Sequence, residues 1–76
     1  MTKSEFLIAF QDVLQRDEPV TETDALDEFE EWDSLSKMAV MAYFKKHFSI
    51  SISLDQLGKL QTVADIIALA GDKISE

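Results

Sequence analysis

Cysteine is absent from this 76-residue chain, which removes disulfides, thiolate metal sites and a cysteine nucleophile together. Any thiol chemistry has to be imported. No glycine stands between Met1 and Gly58, so the acidic residues of the first half lack the central glycine that an EF-hand calcium loop needs. Basic residues are scarce, seven against fifteen acidic ones for a formal net charge of -8, and such a chain repels nucleic-acid phosphates and anionic headgroups. Its partners are expected to present basic patches. Long apolar runs are missing too: no stretch approaches membrane-spanning length, and the N-terminus shows no apolar core followed by a small-residue cleavage site. These absences point to a cytoplasmic protein with no membrane insertion. The single histidine, His47, has no Ser or Asp partner at a catalytic spacing and no second ligand for zinc.

What is present is a folded domain. Hydrophobic residues make up 46% of the chain, well above the depleted level of disordered acidic segments. A chain this short makes one domain, residues 1–76, and buries only about 60% of its unfolded surface. That leaves little room for a walled substrate pocket, which argues against an enzyme and for a carrier or interaction module.

Thr2 with Glu5 reads as a capping box, and Phe6, Leu7, Phe10, Val13 and Leu14 follow at helical spacing. The first helix is expected over Lys3 to Gln15, with Ile8 off the stripe. From Arg16 to Asp33 the helical period is lost. Pro19 and many acids make this a long loop, in which Leu26, Phe29 and Trp32 recur every three residues and can pin it as a short helical turn. A second helix spans Ser34 to Phe48. Its apolar residues cover more than one face: a core role accounts for Leu35, Val40, Phe44 and Phe48 but leaves Met38, Met41 and Ala42 unplaced, apolar surface available to a partner. Ile50 to Ser53 alternates like a strand but has nothing to pair with, so it reads as an extended connector. A short third helix is expected over Leu54 to Leu57 with Gly58 as its C-cap, and a last helix from Val63 to Ala70, capped by Thr62 and stopped near Gly71. The fold class is all-α: a four-helix bundle of three main helices and one short one, with a long loop between the first two.

Asp33-Ser34-Leu35 sits at the head of the second helix. Taken alone, Asp-Ser before a helix is a cap, since both side chains accept from free first-turn donors. In this register, with the Phe6/Phe10 stripe before it and Phe48, Ile52 and Leu60-Gln61-Thr62-Val63 after it, the chain resembles the acyl carrier protein family. The resemblance implies that Ser34 is esterified by 4'-phosphopantetheine, transferred from coenzyme A by a phosphopantetheinyl transferase, and that an acyl group travels as a thioester on that arm. It implies no catalytic residue and no metal. Asp33 and Leu35 would be recognition residues for the transferase, their plain structural roles being a cap and a core leucine. Met38 and Ala42 fall where the family presents apolar contacts to partners, and Glu31 joins Glu28, Glu30 and Asp33 in an acidic surface on the loop. The expected partners are the transferase and acyl-activating, synthase or acyltransferase enzymes of fatty acid, lipid or polyketide assembly, with the carrier itself a free-standing monomer.

The sequence also departs from the family. Ala39 stands five residues after Ser34 where helix two is usually acidic, Lys37, Lys45 and Lys46 add positive charge, and Glu31-Trp32 replaces the usual small residues. These departures point to a specialised member. Two alternatives stay open at this level: an aminoacyl carrier, D-alanyl or peptidyl, and an unmodified helical interaction domain in which Ser34 only caps its helix.

Overall fold

The computed structural model describes residues 1–75. Four helices follow one another as α1 (Lys3–Leu14), α2 (Ser34–Phe48), α3 (Leu54–Gly58) and α4 (Val63–Leu69), with single 3-10 turns at Leu26–Glu28 and Gly71–Lys73. There is no strand among the described residues; the Ile50–Ser53 segment is an irregular connector that places Ile52 in the core. The all-α bundle expected from the sequence is therefore the one observed.

Each α-helix begins with a reciprocal capping box: Thr2 with Glu5, Asp33 with Ser36, Ser53 with Gln56, and Thr62 with Asp65. The cap side chain accepts from the backbone N–H three residues on, and that residue's side chain accepts from the cap's own N–H. The C-termini are less conventional. α1 and α2 close on left-handed residues that are not glycine, Gln15 (φ 57°) and Ser49 (φ 58°). Gly58, expected as the C-cap of α3, instead lies within the helix, and Lys59 caps it in a right-handed conformation. The left-handed glycine is Gly71 (φ 61°), at the turn that follows α4.

The core is unusually aromatic. Phe6 and Phe10 of α1 meet Phe44 and Phe48 of α2, with Phe6 edge-on to Phe44 at 5.9 Å and Phe44 edge-on to Phe48 at 5.1 Å, geometry that suits the ring quadrupoles. Leu57 of α3 and Val63 and Ile66 of α4 complete it, all fully buried. On α2 the inward residues are Ser36, Val40, Phe44 and Phe48, four apart. Leu35, for which a core role stood beside a recognition role, is 77% exposed. It lies roughly 140° around the helix axis from Val40 at 3.6 residues per turn, so the spacing that buries Val40 and Phe44 turns Leu35 outward.

The long loop is held by backbone and by side chains. Leu26 N–H donates to Gln61 O at 2.8 Å, while Val63 and Ala64 N–H donate to Asp24 O and Glu22 O at 3.1 and 2.9 Å. The loop thus satisfies first-turn donors of α4 that would otherwise be free. Leu26 and Phe29 are buried and Trp32 packs against the core, its ring 5.9 Å from Phe10. The three-residue spacing of apolar side chains did pin the loop.

Candidate functional site

At the head of α2 three neighbouring residues have separate tasks. Asp33 is the N-cap: its carboxylate accepts from Ser36 N–H at 3.0 Å, and its own N–H donates to Ser36 Oγ at 2.9 Å. Ser36 is the buried polar residue that closes the box, its hydroxyl also donating to Asp33 O at 3.0 Å. Ser34 stands between them at the first helical position, exposed, and its hydroxyl has no hydrogen-bond partner among the described residues. The reading of Ser34 as a mere cap is overturned, because the cap is complete without it. Among the described residues no base is hydrogen-bonded to the hydroxyl either.

The residues before Asp33 are clamped by the end of α1. Arg16 Nη1 lies 3.0 Å from Glu31 Oε1, its Nη2 reaches Glu18 at 3.9 Å, and its guanidinium stacks 4.5 Å over the Phe29 ring. Its Nε is buried without a partner. Glu31 is therefore half-committed to Arg16, whereas Asp27, Glu28, Glu30 and Asp33 are exposed. The acidic surface expected on the loop exists, with Glu31 as its structural member.

On the outward side of α2, Leu35 is 77% and Met38 55% exposed, with Ala39 and Ala42 exposed between and beyond them. The apolar surplus of this helix is thus shared: Met41 packs against the core, and Leu35, Met38, Ala39 and Ala42 form an outward ridge. α2 contains no acidic residue. Its last turn carries Lys45, Lys46 and His47, which complement the helix dipole. His47 stacks on Tyr43 at 4.2 Å, about 20 Å along the helix from Ser34 at 1.5 Å per residue.

Glu5 is held below its ordinary pKa chiefly by the Thr2 backbone N–H, and Asp65 by the N–H groups of Gln61 and Thr62; both belong to helix caps away from Ser34. Burial, then the charge of Glu5, push Tyr43 up. Among the described residues no cluster of His, Asp and Glu is placed to hold a metal ion, and no helix is long and apolar enough to cross a membrane.

Three contributors were missed in the sequence. Ser36 was visible as the third residue after Asp33, in the register of a capping box. Lys37, whose ammonium lies 5.7 Å from the Trp32 ring centre, and Arg16 left no local signal, since their partners come from the folded path of the loop. Residues 5–70 match the family model described as the phosphopantetheine attachment site. No curated protein and no solved structure matches the chain.

Proposed function

The chain belongs to the phosphopantetheine attachment-site family, and from that premise we propose that Ser34 is the residue that bears the arm. As a member it is a phosphopantetheine carrier protein, a domain to which 4'-phosphopantetheine is covalently attached. The observation that carries the choice of residue is the exposed Ser34 hydroxyl, left without a hydrogen bond while Asp33 and Ser36 cap the helix around it.

The residues fit the group. Ser34 offers an ester oxygen at the positive end of α2, where Ser34, Leu35 and Ser36 carry no charge and the carboxylate of Asp33 is held by the Ser36 N–H. When bound, the group supplies the thiol that a chain without cysteine lacks. The protein's own residues anchor, orient and present: Ser34 holds the ester, Asp33 and Ser36 fix the helix end, and the Arg16–Glu31 pair fixes the loop leading to it. Leu35, Met38 and Ala42 then form the apolar contact for the transferase and for the enzymes that load and unload the arm, with Asp33 and Glu31 as acidic contacts. No residue of this chain catalyses a step.

We assign the cargo as an acyl group, delivered to synthase or acyltransferase partners at high local concentration. The test of attachment is intact mass after incubation with coenzyme A, magnesium and a broad-specificity phosphopantetheinyl transferase. Addition of one phosphopantetheinyl group, lost in Ser34→Ala, is expected; an unchanged mass, or addition that persists in the variant, sinks the assignment. Loading of the holo protein by an acyl-activating rather than a D-alanine-activating enzyme tests the cargo.

A further inference from the structure

A groove of about 650 Å³ runs between the acidic loop and the connection from α3 to α4, reaching α2 at Lys37, one turn after Ser34. Leu26, Leu60 and the Trp32 ring give it apolar surface, Lys37, Gln61 and Thr62 give it polar groups, and Asp27 adds one carboxylate on the loop side. Trp32 is fixed from behind by Phe10, 5.9 Å away. Lys37 is half-buried with its ammonium 5.7 Å from the indole centre, and in a chain with fifteen carboxylates it forms no ion pair among the described residues. A cation seated on an aromatic face gains some attraction from the ring, but it remains available to an anion.

Lys37 follows Ser34 by three residues in α2, so the two share one side of the helix. Helical side chains also lean toward the N-terminus, and the contact of Lys37 with Trp32, which precedes the helix, shows that this one does. Resting on the reading of Ser34 as the attachment residue, we propose that Lys37 and Trp32 form a seat for the arm itself. The Lys37 ammonium pairs with the phosphodiester on Ser34, and the pantetheine stem lies in the groove against Trp32. The chemistry matches in kind: the phosphodiester carries one negative charge, and the stem alternates apolar carbons with amides, as the groove combines indole and leucine surface with the polar groups of Gln61 and Thr62.

The test uses the full chain, ¹⁵N-labelled and driven to complete modification, for the wild type, Lys37→Gln and Lys37→Arg. Intact mass verifies conversion, and spectra of the unmodified forms verify the fold. The expected result has three parts. In the wild-type holo protein the Trp32 indole N–H resonance shifts from its apo position, and nuclear Overhauser effects connect the pantetheine methyl groups to the ring. Both are largely lost in Lys37→Gln, and both return in Lys37→Arg. Complete conversion with no Trp32 shift and no such effects, or effects undiminished in a folded Lys37→Gln, overturns the seat while leaving Ser34 as the attachment residue. An unchanged mass overturns the attachment itself, and the seat with it.

Discussion

The first turns of α2 and α4 are closed by the same reciprocal hydrogen bonds with the two side chains exchanged. At α4 the hydroxyl of Thr62 stands outside the helix and the carboxylate of Asp65 inside it; α1 repeats this with Thr2 and Glu5. At α2 the carboxylate, Asp33, is outside and the hydroxyl, Ser36, inside. The exchange leaves the first turn of α2, Ser34-Leu35-Ser36, without charge and puts the carboxylate just before the helix, whereas Asp65 and Glu5 stand within the first turns of theirs. It also frees the first helical position for a serine, where α4 has Val63 and α1 has Lys3. With the arm on Ser34 as proposed, capping and attachment are divided between adjacent residues, so one can be altered without the other.

The sharpest way to break that division is Ser34→Ala. Modification should vanish while thermal stability stays within about 0.5 kcal/mol of wild type, the usual effect of an exposed substitution away from a structural feature. A melting temperature lowered as much as by loss of a cap would show that Ser34 shares in closing the helix.

Leu35→Ala makes the first turn of α2 resemble that of α4, where the same position is Ala64. Stability should hardly change, because Leu35 is 77% exposed. Modification by the transferase should slow by about tenfold in kcat/KM, roughly the value of one leucine side chain partly buried on docking. Steady-state rates beside a melting curve check this; a large loss of stability with an unchanged rate would return Leu35 to the core.

Asp33→Ala and Thr62→Ala compare the caps themselves. Each should cost about 1 kcal/mol, a fall of roughly 4–8 °C in Tm for a domain of this size. Only Asp33→Ala should also slow modification, since only that cap adjoins Ser34. Equal slowing in both variants would mean that the transferase senses general stability and not the head of α2.

Much of this arrangement was legible in the sequence, for identifiable reasons. The span of α2 was readable because Asp33-Ser34 opens an apolar stretch that runs to Phe48, and Leu26, Phe29 and Trp32 announced an anchored loop by their spacing. The core alternative for Leu35 failed because an apolar residue beside a core stripe looks the same facing in or out until Val40 and Phe44 set the phase. Gly58 was misread because α3 ends without a left-handed cap: the helix includes Gly58 and closes on Lys59 in a right-handed conformation. The clamp of Arg16 on Glu31 and the backbone bonds from the loop to α4 join residues far apart in sequence. They depend on the path of the loop, which no local pattern encodes.

The smallest expected effect is a pH response that separates the boxes. In α1 and α4 the inner residue is a carboxylate whose folded pKa is lowered by backbone N–H donors, those of Thr2 for Glu5 and of Gln61 and Thr62 for Asp65. A group lowered on folding stabilises the helix end above its unfolded pKa, about 4.3 for Glu and 3.9 for Asp. That contribution fades as pH falls through the lower folded value, where the proton displaces the hydrogen bonds. In α3 the inner residue is Gln56, which does not titrate, so its box is the internal control. Backbone amide resonances followed by NMR from neutral pH into the acid range should show Thr2, Gln61 and Thr62 moving with midpoints below the ordinary carboxylate values. Ser53, bonded to the Gln56 amide oxygen at 2.9 Å, should stay in place until the fold itself is lost. Midpoints at or above the ordinary values would mean that those carboxylates are not held by the donors, and the likeness between the boxes of α1 and α4 would be one of geometry alone.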